Sequence, residues 1–266
     1  MNAQLRAIME RVDRVERESF VQLYALAAGL GTGSASDGDV VAVWSAHDDD
    51  AGFSCIIDLP LAAQPEETIR RLETAARDDG AQVLGIDTHP DLDPNLTYDW
   101  FQQLGFELDC EECIWWRALE PFEPRPLPLG LELRRVDAET AATFASVLNV
   151  GFGYRPEYVR GTIFATAVEQ PGWFHYLAYV DGEPAAASAM FVADGVADCF
   201  VASTLPEARG RGAQTALIQR RLADGAAAGC TVATAQSVVT NASPRNFARQ
   251  GFQPVYRRWI YGKQLT

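Results

Sequence analysis

The sequence predicts an α/β (α+β) fold built twice along one chain, each copy a mixed central sheet flanked by helices. Three observations predict it. There is an internal repeat at a fixed offset, a Pro-rich break near the middle, and a second half whose strand signals begin as hairpins and acquire a crossover helix late. The 266 residues, 48% hydrophobic and 22% charged, supply enough apolar material for real cores and lack the composition of a disordered chain.

At an offset of 146 positions, FQQLGFELDCEECIWWRAL from Phe101 to Leu119 lies over FARQGFQPVYRRWIYGKQL from Phe247 to Leu265. Each carries Phe, three residues and Gly-Phe, then Ile and an aromatic at matching steps before a basic residue and Leu. The same offset brings Leu59-Pro60 onto Leu205-Pro206, which close the β-type runs FSCIIDLP and CFVASTLP. Between the copies, EPFEPRPLPLG from Glu120 to Gly130 holds four prolines, which preclude a regular helix or central strand and make a semi-rigid linker. The expected domains are therefore 1–119 and 131–266, joined by 120–130.

In the second half, Leu131 to Arg135 reads as a strand, and Glu139 to Val150 and Pro156 to Val168 read as helices, the second with proline in its tolerated first turn. Strands Phe174 to Val180 and Ala185 to Val192 are joined by the hairpin signal Asp181-Gly182, and Asp194-Gly195 leads into a strand from Ala197 to Ser203. A glycine-rich turn follows, then a helix from about Ala213 to Ala228, a strand Thr231 to Ala235, a short helix Ser243 to Gln250 and a last strand Val255 to Tyr261.

Charge and cysteine usage exclude several classes. A net charge of -14 opposes nucleic acid as the main partner and weakly favours cationic small molecules. The amphipathic opening MNAQLRAIMERVDRVERESF lacks a signal peptide's apolar core, and no apolar run is long enough to span a bilayer. Five cysteines without framework spacing do not form a disulfide scaffold. A soluble cytoplasmic protein, monomer or homodimer, without membrane partners is expected.

The turn LPEARGRGAQTAL, Leu205 to Leu217, carries the chemistry. A phosphate needs several converging backbone N–H groups, which a loop feeding a helix N-terminus supplies. Gly210 and Gly212 remove side chains that would block approach, and Arg209 and Arg211 offer charge-assisted hydrogen bonds. No Gly-Lys-Ser/Thr closes the loop, and Thr215 stands where a dinucleotide fingerprint needs its third glycine, so neither nucleotide loop fits.

With this turn, the upstream hairpin DGEPAAASAMF and the short helix ending Gln250-Gly251-Phe252, the second half resembles the GNAT superfamily of acetyl-CoA-dependent N-acetyltransferases. The family's Arg/Gln-x-x-Gly-x-Gly/Ala is matched by Arg209-Gly210-Arg211-Gly212-Ala213-Gln214, with Gln214 in place of the last small residue. The resemblance implies a tandem protein of this family that moves an acetyl group from acetyl-CoA to the amine of a small molecule by direct attack in a ternary complex, without a metal. It also implies that Ala202, Ser203 and Thr204 pair with the pantetheine arm, that Arg209, Gly210, Arg211, Gly212, Ala213, Gln214 and Thr215 surround the pyrophosphate, and that Asn241 and Asn246 lie near the thioester. Tyr154, Arg155 and Tyr158, within NVGFGYRPEYVR, stand where the family puts its acceptor-side helices, and read equally as residues that bind the acceptor or a carboxylate on it or as ordinary surface.

The catalytic groups stay open at this level. Asp198 reads equally as the base or as a hairpin-end aspartate facing water, and His175 as an alternative base or a structural strand residue. Phe247 occupies the place of the family's proton-donating tyrosine and cannot donate, which leaves Tyr256 as a replacement or as a residue packed on the sheet. A non-catalytic acyl-CoA-binding regulator is the second reading.

The first half repeats the architecture without the equipment. Gly52 stands opposite Asp198, and LPLAAQPEETI has neither paired glycines nor an arginine, while Glu66-Glu67 at the helix start would repel a pyrophosphate. A degenerate domain that does not hold coenzyme A in the usual way is expected. Cys110 and Cys113 have metal-knuckle spacing but lack a second pair, with His89 the nearest histidine, and read as sheet. Asp48 to Asp50 reads as a solvated hairpin tip.

Overall fold

The computed structural model describes residues 3–59, 65–88, 94–121, 123–241 and 243–265. In chain order these form α1 (Ala3–Leu26), β1 (Thr32–Asp37), β2 (Val40–Ser45), β3 (Cys55–Leu59), α2 (Pro65–Asp78), β4 (Val83–Thr88), α3 (Pro94–Gln103) and β5 (Glu107–Ala118). The second half continues with β6 (Leu131–Arg135), α4 (Ala141–Phe152), α5 (Val159–Ala165), β7 (Trp173–Val180), β8 (Glu183–Ala193), β9 (Val196–Thr204), α6 (Ala213–Ala227), β10 (Val232–Val238), α7 (Ser243–Arg249) and β11 (Gln253–Gln264).

Two compact units emerge, interleaved in sequence. The C-terminal unit holds Met1–Glu16, Trp115–Ser237 and Asn241–Val255, and the N-terminal unit holds Arg17–Ile114, Val238–Thr240 and Tyr256–Thr266. The Pro-rich segment lies inside the C-terminal unit, and the chain passes from unit to unit within α1, within the long strands β5 and β11, and on either side of residues 238–240.

In the C-terminal unit the strand order is β5-β10-β9-β8-β7-β6. Neighbours from β6 to β9 are antiparallel and β10 runs parallel to β9. The hairpin turns have the left-handed geometry their residues permit, with φ of 54° and 90° at Asp181 and Gly182 and 43° and 69° at Asp194 and Gly195. Helix α6 buries Ala213, Ala216 and Leu217 against Tyr176, Ala178 and Ala186 on one face of the sheet. On the other face α4 and α5 bring Phe144 to His175 and Phe164 to Phe200.

Helix α5 is shorter than the span Pro156 to Val168 that the sequence suggests. Its entry residue Tyr158 is extended, with φ -62° and ψ 145°. The buried Asn149 amide explains this: it donates to Pro156 O at 2.9 Å and Tyr158 O at 2.7 Å while its oxygen accepts from Gly161 N at 2.8 Å. Those carbonyls are held away from helical partners by one side chain.

The N-terminal unit orders its strands β1-β2-β3-β4-β11, and β11 pairs antiparallel with β4 from Ile260↔Asp87 to Gln264↔Val83. Helix α2 buries Ile69, Leu72 and Ala76, the helical repeat of one face, into a core with Trp44, Ile86, Phe101 and Tyr261. Glu66 and Glu67 open this helix and pair with Arg70 and Arg71 one turn on, both at 2.7 Å. The corner before it, residues 60–64, lies outside the described residues, as does His89.

One reading of this half changes, and another stands. Asp48 is not a solvated tip but is buried, because Asp48 Oδ1 accepts from Asp50 N at 3.2 Å and Asp50 Oδ1 from Gly52 N at 2.9 Å, turning the carboxylates inward to cap the loop. Cys110 and Cys113 both lie on β5, where a spacing of three puts them on opposite faces of a strand. Among the described residues no group of three or more His, Cys, Asp or Glu side chains could hold a metal ion, and no helix is long and apolar enough to cross a membrane.

One buried charge cluster holds β11 in this unit. The Arg258 guanidinium, almost wholly buried, meets Asp87 Oδ2 of β4 at 2.6 Å and Glu112 Oε2 of β5 at 3.0 Å. Removing the cation would strand the buried Asp87 carboxylate, so Arg258→Met is expected to cost about 3–5 kcal/mol in chemical denaturation. The adjacent exposed pair Arg257–Glu111, at 2.9 Å, should cost under about 1 kcal/mol when Arg257 is changed to Met. Equal losses from the two variants would refute this division.

Candidate functional site

The site begins where two parallel strands stop pairing. The β9–β10 ladder runs from Val196↔Val232 to Asp198↔Thr234 and ends there, although β9 continues to Thr204 and β10 to Val238. Beyond Asp198 the edge of β9 that would face β10 has no strand partner. Opposite, on β8, Ala189 pairs with Val201 and Phe191 with Asp198, so Met190 alone faces the two residues Cys199 and Phe200. This β-bulge bends β9 at the point of parting. A fully buried arginine of α6, Arg221, donates from Nη1 to Ala189 O at 3.3 Å beside the bulge.

Backbone direction along the open edge follows from one hydrogen bond. Leu205 N–H donates to Ala185 O on β8 at 2.9 Å. Alternate residues of an antiparallel pair point their amides to opposite edges, so Ser203 faces β8, and Ala202 and Thr204 present N–H and C=O to the open side. Of the three residues expected along a pantetheine arm, Ala202 and Thr204 thus have their backbones turned to the cleft. The Ser203 hydroxyl is occupied elsewhere, donating to Val147 O and Leu148 O at 3.2 and 3.1 Å on α4. Gly151 makes that contact possible: a Cβ there would lie 2.6 Å from Ser203 Cβ.

From Thr204 the chain enters the glycine turn. Pro206 to Ala208 form a single 3-10 turn, Arg209 is extended, and Gly210 and Gly212 take φ of 78° and 88°, a region where other L residues are strained. Gly212 is the N-cap of α6 and supplies no side-chain cap, so the first amides of the helix, those of Ala213, Gln214 and Thr215, have no intrahelical acceptor. Arg209 spans the turn, with Nε toward Thr204 O and Nη2 toward Gly151 O, both at 3.4 Å. Arg211 is exposed and pairs with Asp181 of the β7–β8 hairpin at 2.7 Å. Gln214, the departure from the family pattern, turns back so that Thr204 Oγ1 lies 3.5 Å from its Oε1.

The Asn149 to Arg160 segment is held by more side-chain contacts than its sequence suggests. Tyr154 and Tyr158 stack at 4.4 Å with rings 7° apart, and the Arg160 guanidinium lies 4.7 Å from the Tyr154 ring. Arg160 is buried and Arg155 exposed. Asn149, which pins this loop, and Arg160, which underlies it, were not expected to matter. A polar Asn inside an otherwise apolar helix was the available signal.

The groups weighed as catalytic separate clearly. Asp198 is not at a water-facing hairpin end: it has 0% exposure, at the last rung before the strands part, with Gln236 Nε2 3.4 Å from its Oδ1. His175 is buried with Nε2 3.1 Å from Phe164 O and its ring edge-on to Phe144, and burial lowers its pKa to about 4. Phe247 packs in the core against Phe252 at 5.2 Å and Trp115 at 6.2 Å. Tyr256 belongs to the N-terminal unit. Asn241 is exposed and Asn246 is half-buried on α7.

The corresponding strands of the N-terminal unit do not part. There β3 pairs parallel with β4 at Cys55↔Gly85 and Ile56↔Ile86, shifts register, and pairs again at Leu59↔Thr88, the last described residue of each strand. Among the described residues β3 and β4 are paired again at their ends, unlike β9 and β10.

The fold as a whole has counterparts among solved structures. A "GCN5-related N-acetyltransferase from Kribbella flavida" is 19% identical, with 95% of this chain and 94% of that one covered and a TM-score of 0.62. A tandem GNAT protein from the clavulanic acid biosynthesis pathway is 16% identical, with 96% of each chain covered and a TM-score of 0.58. A GCN5-related N-acetyltransferase from Sphaerobacter thermophilus is 14% identical over 85% of this chain and 80% of its own, with a TM-score of 0.59. No family model and no curated protein matches the chain. The chain has the two-domain GNAT acetyltransferase fold over nearly its whole length.

The buried histidine makes the C-terminal unit acid-sensitive. In the unfolded chain His175 takes a proton near pH 6.5, whereas the folded protein resists until about 4. Protonation therefore favours unfolding, and stability complete above pH 6.5 falls as pH drops toward 4, by up to about 3 kcal/mol. In denaturant titrations from pH 7 to pH 4.5, His175→Gln should flatten this component of the decline; an unchanged slope would contradict it.

Proposed function

We propose that the chain is an acetyl-CoA-dependent N-acetyltransferase acting on the amine of a small molecule, with one active site per chain, in the C-terminal unit. The observation that carries the reading is a single continuous feature: the open edge of β9 leads directly into a glycine turn whose helix N-terminus is uncapped. An extended amide-bearing arm needs the first part and a pyrophosphate needs the second. The donor set fits coenzyme A: Ala202 and Thr204 would hold the arm, and the amides of Gly210 to Thr215 with Arg209 and Arg211 would hold the pyrophosphate. The bound thioester supplies the acetyl group.

The amine must be neutral to attack, and an alkyl amine at pH 7 is overwhelmingly protonated. Asp198 is the proposed base. Because its carboxylate is buried, it takes the proton through an intervening water rather than by direct contact. Tyr154, Arg155 and Tyr158 form the proposed acceptor wall. The departing thiolate of coenzyme A is protonated by water, since Phe247 is a core residue and coenzyme A is a good leaving group.

The burial of Asp198 and the packing of Phe247 also support a second reading, an acyl-CoA-binding regulator without turnover. Calorimetry should give one coenzyme A per chain, with Arg211→Glu weakening it at least tenfold by placing like charge beside the phosphates. Two per chain would overturn the single-site assignment, and unchanged affinity would overturn the pyrophosphate assignment. A thiol-release assay with acetyl-CoA and a panel of amines separates the two readings. Turnover that falls about 100-fold or more in Asp198→Asn, with coenzyme A affinity kept, supports catalysis; binding without turnover on every amine establishes the regulator.

A further inference from the structure

The C-terminal unit has a second cleft that the acetyl-transfer reading does not use. It is a cavity of about 560 Å3 formed by the end of β5, the Pro-rich segment, α6 and the end of α7. Three arginines line it, Arg117, Arg125 and Arg249, with Glu123 the one acidic side chain among the lining residues. In a chain with 36 acidic and 22 basic residues this is a local inversion of charge.

Structural duties account for only part of that charge. Arg117 donates to Gln250 O and so caps the C-terminal end of α7. Arg249, in the last turn of the same helix, complements its dipole, an effect that one cation satisfies. The Arg125 guanidinium has neither duty, and neither Arg125 nor Arg249 has an ion-pair partner among the described residues. The loop carrying Arg125 is nevertheless fixed in place: its backbone N–H donates to Gln219 Oε1 at 3.1 Å, and Gln219 Nε2 donates to Gln250 Oε1 at 3.0 Å. A nearly buried glutamine thus ties linker, α6 and α7 together and holds the arginines around one space.

We propose that this cleft is a binding site for a small organic polyanion bearing carboxylate or phosphoryl groups, separate from the coenzyme A cleft. Arg125 and Arg249 supply paired donors in the fork geometry that suits oxyanions. A volume of several hundred Å3 admits a metabolite and not merely an ion. The site explains why a proline-rich connection is pinned by a buried side chain rather than left to solvent.

The test is calorimetry on the full chain at low ionic strength, with saturating coenzyme A present so that the glycine turn is blocked. Citrate and pyrophosphate are titrated separately, and the tighter of the two assigns carboxylate or phosphoryl preference. One site is expected, weakened at least tenfold in the Arg125→Gln/Arg249→Gln double variant and by added salt. The melting temperature and coenzyme A affinity should stay unchanged, and Arg134→Gln, at an exposed pair elsewhere, should bind as wild type. Failure of both probes to bind, equal affinity in the double variant, or displacement of the probe by coenzyme A would overturn the proposal.

Discussion

Two parallel strands that stop hydrogen-bonding while both continue leave N–H and C=O groups on facing edges, and those groups must find other partners or water. In the C-terminal unit this happens at Asp198 and Thr234. The bulge opposite Met190 bends β9, Arg221 takes the nearby Ala189 carbonyl, and Ser203 fastens the bent strand to α4 where Gly151 lets it approach. The open edge is therefore maintained by packing on both faces of the sheet. In the N-terminal unit, among the described residues, β3 and β4 shift register after Ile56 but pair again at Leu59↔Thr88, so they do not stay apart as β9 and β10 do.

The same fold places polar groups where apolar ones would be simpler. Asn149, Arg160, Arg221 and Gln219 are all buried or nearly so, and each shapes backbone around the site rather than adding to a core. Asn149 shortens α5, and Gln219 immobilises the Pro-rich segment. Such groups stabilise only when their partners are in place, so they specify one arrangement of loops more strongly than they raise stability.

Much of this was legible in the sequence because it rests on local rules. The Asp-Gly hairpin pairs, the glycine turn and the helix that follows it each follow from residue chemistry within a few positions. The repeat at an offset of 146 disclosed the duplication. The interleaving of the units was not legible, because strand signals in β5 and β11 say nothing about which neighbours those strands choose. Nor were the burial of Asp198 and Asp48, or the stacking of Tyr154 on Tyr158, legible: an aspartate near a turn predicts water unless distant side chains close over it. The parting of β9 from β10 lies beyond local reading too, since it coincides with a bulge in the β8–β9 pairing that no local residue signal announces.

The ion pairs along β5 and β11 join residues that are 146 positions apart, the offset of the repeat itself: Glu111 with Arg257 and Glu112 with Arg258. Equivalent places in the two copies thus carry opposite charge. Were this border assembled from the same half twice, glutamate would oppose glutamate, or arginine arginine, at both rungs. Within the N-terminal unit, these rungs are therefore complementary in charge only because β5 and β11 differ at matching positions of the repeat.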